Sequence, residues 1–287
     1  MDAELPKTAV AEILVNKILA LNAAALPAAV RAKCDDLLID VVGLCVTARN
    51  EDYVKAALAG WDDEGACTAI GHARPMSAAG AAFINGTAAH GEDFDDTFEG
   101  GPVHAGAVIV PAVLAACERH KPDGRSALLG IAVGVETMCR LSLVAPTLTH
   151  KAGFHPTAVF GAIGAAVGVG AALGLNPRQL VDALGTVGSM ASGIIEYLAE
   201  GAWTKRLHAG WAAQSGIHAA LLGRAGFLGP RTVFEGHYMR TDTGGAGYDV
   251  SSTGRFLMVQ PVEPEEPATQ INIVVNWFEA LKQRNVK

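Results

Sequence analysis

Aromatic residues make up only 6% of this 287-residue sequence, although half of it is hydrophobic. The apolar content therefore falls largely to alanine and glycine, small residues that let helices pack closely, so an Ala-rich helical assembly with tight crossings is expected. Basic charge is scarce as well: 22 Lys and Arg stand against 29 Asp and Glu, a formal charge of -7. A nucleic-acid surface needs a dense cationic footprint, so no nucleic-acid partner is expected. Cys34, Cys45, Cys67, Cys117 and Cys139 show neither a CxxC nor a paired spacing. They read as reduced, buried thiols of a cytoplasmic protein. The start, MDAELPKTAV, is acidic and has no continuous apolar core, so no secretory signal is read there. Walker, Gly-rich phosphate-loop and GxSxG patterns are absent, as are repeats and heptads.

The length suits one large domain or two modest ones and a substantial core. An uncharged run at residues 157–176, TAVFGAIGAAVGVGAALGLN, approaches the length of a membrane span. Gly and Ala dilute its hydrophobicity, so it is expected to be a buried central helix, with no membrane partner. Helical patterns follow one another along the chain, at about residues 9–21, 28–48, 78–90, 105–119, 125–144 and 178–191, and in a last helix to Arg224. Val30, Leu37, Leu38, Val41, Val42 and Cys45 form the expected apolar stripe of the second, with Asp35, Asp36 and Asp40 opposite. Ser77 is positioned to cap the helix that follows it, and residues 67–70 read as a short extended piece. Residues 196–208 read as a polar connection, 235–254 as irregular, 259–267 as an acidic, proline-bearing linker, and 271–281 as a strand turning into a short helix.

The chemistry concentrates at helix ends. NGTAAHGEDFDDTFEGGPVHAGAVIVP, residues 85–111, gathers His90, Asp93, Asp95, Asp96, Thr97 and His104. A metal cluster is one reading of these groups, but the i, i+4 histidine pair and the calcium-loop spacing are missing, so no metal is expected. His155, in GFHPT, is presented at a helix entrance by Pro156, where free N–H groups and the helix dipole favour anions. Lys205, Arg206 and His208, in TKRLH, bring two cations and an imidazole to another helix start. Cations there oppose the dipole, and an anionic ligand would supply the reason for them. Such a set suits a small polycarboxylate, beside which a neutral histidine can move a proton.

At these residues the sequence resembles the MmgE/PrpD family, which includes 2-methylcitrate dehydratases, cis-aconitate decarboxylases and related isomerases. The resemblance rests on five motifs in order: Leu26-Pro27 with the helix to DVVG at 40–43, AAFINGTAAHGEDFDDT at 81–97, HAG at 104–106 leading to Val110-Pro111, GFHPTAVFGA at 153–162, and TKRLHAGWAAQSG at 204–216. It implies an all-α, Ala/Gly-rich multi-helix domain over residues 1–250, a homodimer, and cofactor-free chemistry on di- or tricarboxylates. Asp93, Thr97, His104, His155 and Lys205 then correspond to the family's active-site positions. His104 and His155 are then the catalytic proton-transfer groups or carboxylate ligands, Asp93 a catalytic acid/base or the group that orients a neighbouring histidine, and Thr97 and Lys205, with His208, the expected substrate-binding residues. A carbon–oxygen lyase of the 2-methylcitrate dehydratase type is the leading expectation, with cis-aconitate decarboxylation or isomerisation as the alternative and a lidless, non-catalytic scaffold as the rival. Family members have a smaller α+β lid after the helical domain. Gly247-Tyr248-Asp249 looks like the approach to it, whereas 251–287 is read as a short, irregular, divergent tail with the lid truncated or absent.

Overall fold

The computed structural model describes residues 8–144 and 146–234, which are mostly helical. The irregular stretch, linker, lid approach and tail expected from residue 235 onward lie outside the described residues. Eleven α-helices are present among the described residues: α1 Val10–Leu19, α2 Ala28–Ala48, α3 Asp52–Gly60, α4 Ala78–His90, α5 Gly106–His120, α6 Gly124–Val144, α7 Leu148–Lys151, α8 Pro156–Ala172, α9 Pro177–Gly188, α10 Tyr197–Glu200 and α11 Thr204–Arg224. Between α3 and α4 lie two short antiparallel strands, β1 Cys67–Thr68 and β2 Pro75–Met76, with Cys67 opposite Met76. All five cysteines are free.

Helix α8 is the centre, packed between α6 and α11, with α5 and α9 completing its surroundings. Fifteen of its seventeen residues are buried, so almost no face is left for polar side chains. The contacts are made backbone to backbone. A Cβ placed on Gly168 would stand 2.7 Å from the carbonyl oxygen of Gly130, and one on Gly130 2.6 Å from that of Gly168. Helix α11 approaches α4 in the same way, where a Cβ on Gly210 would meet the Phe83 carbonyl oxygen at 2.1 Å. Helix α6 is long and apolar enough by length and composition to cross a membrane. Its Gly130, Ile131, Val133, Gly134 and Met138 are buried, as in the core helix of a helical domain.

Local signals set the helix limits. The Ser77 hydroxyl accepts from Gly80 N at 2.9 Å and opens α4, and Asn176 with Gln179 forms a capping box before Pro177 opens α9. On α2 the buried set is Cys34, Leu37, Val41, Cys45 and Ala48. Val30 and Val42 are exposed, so the buried stripe is narrower than the sequence suggested, one residue per turn against α4 and α5. Residues 196–208 also depart from expectation. They hold α10, closed by Gly201 in the left-handed conformation at φ 69°, and the first turn of α11, which starts at Thr204.

The tight crossing of α6 and α8 has a measurable consequence. Gly168→Ala should cost about 1–3 kcal/mol in urea unfolding, since a backbone carbonyl cannot yield as a side chain can. Gly43→Ala, on α2 with nothing within 4 Å of the added carbon, should instead be neutral or stabilising by up to about 1 kcal/mol.

Candidate active site

Four helices end or begin at one place. Helix α4 delivers His90 at its last position, and His104 immediately precedes Ala105, the N-cap of α5. His155 is itself the N-cap of α8, ahead of Pro156, and α11 contributes Lys205 in its first turn and His208 one turn on. The imidazoles gather closely. Ring centroids lie 4.8 Å apart for His90 and His104, 5.6 Å for His90 and His155, and 5.3 Å for His155 and His208. Tyr197 of α10 stands 5.9 Å from His155 and 5.8 Å from His208, edge to face.

The loop after α4 is shaped to return carboxylates to this cluster. Gly91 lies where a Cβ would fall 1.9 Å from the Tyr53 hydroxyl oxygen, and Asp93 then takes the left-handed conformation at φ 57°, which Asp tolerates better than most residues. The reversal places the Asp93 carboxylate on the ammonium of Lys205. Asp95 turns inward with its side chain wholly buried, its Oδ2 2.7 Å from His90 Nδ1 and its Oδ1 3.4 Å from His104 Nδ1. Asp96 accepts from the backbone N–H groups of Gly106 at 2.7 Å and Ala105 at 3.2 Å, fixing the start of α5. Thr97 is exposed, its hydroxyl 3.5 Å from His104 Nδ1. On the α8 side, the His155 N–H donates to the Gly193 carbonyl at 2.8 Å, and Thr157 Oγ1 accepts from the His104 N–H at 3.3 Å.

The cations of α11 have internal partners. Lys205 meets Asp93, and Arg206 donates to the Gly91 carbonyl at 2.7 Å, stands 3.9 Å from Glu92, and lies over the Tyr53 ring. These anions offset the unfavourable helix-dipole position of the cations. The result is a graded site, with Asp93, Thr97 and Lys205 toward solvent and His90, Asp95, His155 and His208 buried beneath.

Protonation divides along the same line. Burial, then the charges of His90, His208, Lys205 and His104, push His155 down to about 2. Burial and His90 push His208 down to about 4. Their Nδ1 atoms are 3.1 Å apart, a distance that needs one ring to donate and the other to accept, as two neutral imidazoles can. Burial would lower His104 too, but the Asp95 carboxylate outweighs it and His104 is raised. Asp95 is held well below the usual carboxylate range despite its burial, because His104 and His90 favour its charge. Burial raises Asp96 to about 6, against the Gly106 N–H.

His90, Asp95 and His104 also offer donor atoms all within 4.8 Å of one another. Two ligands of a tetrahedral zinc would stand about 3.3 Å apart. The His90–Asp95 contact, at 2.7 Å, is instead the length of a charge-assisted N–H···O bond. The group is therefore read as a hydrogen-bonded His90–Asp95 pair with His104 beside it.

All six expected site residues, Asp93, Thr97, His104, His155, Lys205 and His208, come together here, with His90 and Asp95 from the acidic cluster of the sequence. Tyr197, Thr157 and Gly193 were missed. Tyr197 lay within what read as a connection, although its place in EYLAEG just before the cationic turn was an available signal.

A family model described as the MmgE/PrpD N-terminal domain matches residues 12–251. Among curated proteins, the cis-aconitate decarboxylase-like protein oryM of Aspergillus oryzae is 30% identical over 245 residues, covering 81% of this chain and 50% of that protein. The cis-aconitate decarboxylase of Aspergillus terreus is 30% identical over 224 residues, 74% of this chain and 45% of that protein. The human cis-aconitate decarboxylase is 36% identical over 159 residues, 54% of this chain and 33% of that protein. The chain spans about half the length of the first two relatives.

The neutral histidines tie stability to pH. Below pH 6.5 the unfolded chain protonates both positions while the folded chain leaves His155 and His208 neutral, so stability should fall as pH drops from 6.5 toward 4. The slope is up to about 1.4 kcal/mol per pH unit for each ring. Asp96 acts in the opposite sense between about 4 and 6, where the folded state holds the extra proton. Urea unfolding across this range should show a shallower dependence for His208→Gln.

Proposed function

Because the chain belongs to the MmgE/PrpD family, we propose that its histidine cluster binds a small tricarboxylate and serves decarboxylation of the cis-aconitate type. The names of the curated relatives support this over the 2-methylcitrate dehydration that led on the motifs alone. The observation that carries the reading is the split inside one cluster, where His104 is raised while His155 and His208 are lowered. Environments that push neighbouring titratable groups apart assign acid and neutral roles.

Cis-aconitate carries a carboxymethyl group on a carbon–carbon double bond. As the bond to the departing carboxylate breaks, its electron pair forms a new double bond to the central carbon. The old double-bond pair moves to the far carbon and takes up one proton there, leaving carbon dioxide and an unsaturated dicarboxylate. Protonated His104 donates that proton and recovers one from solvent. Lys205 and Thr97 hold the carboxylates that remain, with Asp93 orienting Lys205. The departing carboxylate lies against neutral His155 and His208, rings that add no positive charge of their own to oppose its loss. These steps call on side chains alone.

Carbon dioxide release from cis-aconitate, without ultraviolet absorbance developing from 2-methylcitrate, is the expected outcome; the converse pair of results would install dehydration instead. The rate should fall as pH rises through the raised His104 pKa, above 6.5. Calorimetry with cis-aconitate reads the site independently of turnover. Lys205→Ala and His104→Ala should each weaken binding by about tenfold or more, the worth of a hydrogen bond to a charged group; undiminished binding in both would overturn the assignment.

A further inference from the structure

We propose that Asp95 is a positioning residue: its single carboxylate accepts from His90 Nδ1 and faces His104 Nδ1 with its other oxygen, leaving the Nε2 of each ring for other partners. This deepens the reading of the cluster as a tricarboxylate site and rests on it. Three observations carry the inference. Both side chains of the His90–Asp95 pair are fully buried, with 2.7 Å between Nδ1 and Oδ2. Both contacts of His104, with Asp95 at 3.4 Å and Thr97 at 3.5 Å, run through its Nδ1. His90 Nε2 is buried without a hydrogen-bond partner while its ring stacks on His155.

A wholly buried carboxylate is costly unless its lone pairs are taken up. Here Oδ2 is taken up by His90, while Oδ1, buried without a hydrogen-bond partner, faces His104 Nδ1 at 3.4 Å as an ion-pair contact. An ionised carboxylate can only accept, so the hydrogen of His90 must sit on Nδ1. The tautomer and orientation of His90 are thus set by Asp95, much as a buried Asp sets the imidazole of a catalytic triad. The same carboxylate faces His104, and so couples the acid of the proposed reaction to the buried ring 4.8 Å away. Other groups facing His104 are Asp96 and Thr97 from its own loop, His155 and Thr157 from α8, and Lys205 from α11. Of these, Asp96 is engaged with the α5 backbone and Lys205 with Asp93, so the wholly buried carboxylate on His104 is that of Asp95.

The test is nitrogen-15 NMR of histidine-labelled full chain, with His90→Gln and His104→Gln used for assignment. Wild-type His90 should show one tautomer, hydrogen on Nδ1. Asp95→Asn should keep that tautomer, since the amide oxygen still accepts, yet move the His104 titration to lower pH. Asp95→Ala should lose the single tautomer and show the same titration shift. A wild-type His90 with its hydrogen on Nε2 would overturn the proposal without any variant having to fold. So would a folded Asp95→Asn protein whose His104 titrates as in wild type. Given turnover of cis-aconitate, Asp95→Asn should lower kcat with KM nearly unchanged, whereas equal values of both constants in the variant and the wild type would also overturn it. The NMR readouts need no substrate, so their failure is distinct from absence of turnover, which bears on the proposed reaction alone.

Discussion

The contact between α8 and its neighbours is the constraint on which the rest of the fold depends. A helix with fifteen buried positions out of seventeen must be enclosed by other helices on nearly every side, and large side chains all round would hold those helices too far apart. Glycine and alanine remove the obstacle. Gly130 against Gly168 brings α6 close, and a Cβ on Gly216 of α11 would sit 2.3 Å from that of Ala165. Tight approach places the N-termini of α5, α8 and α11 and the C-terminus of α4 within reach of one another. The cluster of imidazoles is a result of helix spacing before it is a result of residue choice.

Much of this architecture was legible because its signals are local. Ser77, Asn176-Pro177 and Pro156 announce helix starts through side chains and backbone restrictions that act within one turn. The small-residue run of α8 showed its burial through composition. Less was visible where tertiary contacts decide. The cations at the start of α11 suggested an anionic ligand because their carboxylate partners, Glu92 and Asp93, lie more than a hundred residues away in the sequence. The exposure of Val30 and Val42 follows from which neighbours α2 meets, which periodicity does not specify.

The candidate site divides similarly. Motif order brought His104, His155, Lys205 and the acidic loop to notice, but not the distinct tasks of the neighbouring acids. Asp93, Asp95 and Asp96 are nearly consecutive, yet one pairs with a lysine, one with two imidazoles and one with the backbone of α5. A left-handed residue at Asp93 sends three similar side chains in three directions. Their protonation differs accordingly, since Asp95 is depressed by imidazoles and Asp96 raised by burial.

The ion pair between Lys205 and Asp93 has a bearing on selectivity. A carboxylate that arrives at Lys205 meets an ammonium already neutralised, and must displace an anion tethered to the same protein. For a ligand with one negative charge, the exchange gains little, because one carboxylate replaces another while the released Asp93 is left facing the newcomer. A ligand with several carboxylates is in a different position: it can compete at Lys205 while reaching His104, whose pKa is raised beside Asp95, with a second charge. On the proposed reading of the cluster as a tricarboxylate site, the closed pair would thus set a threshold of valence that favours polyanions over simple acids.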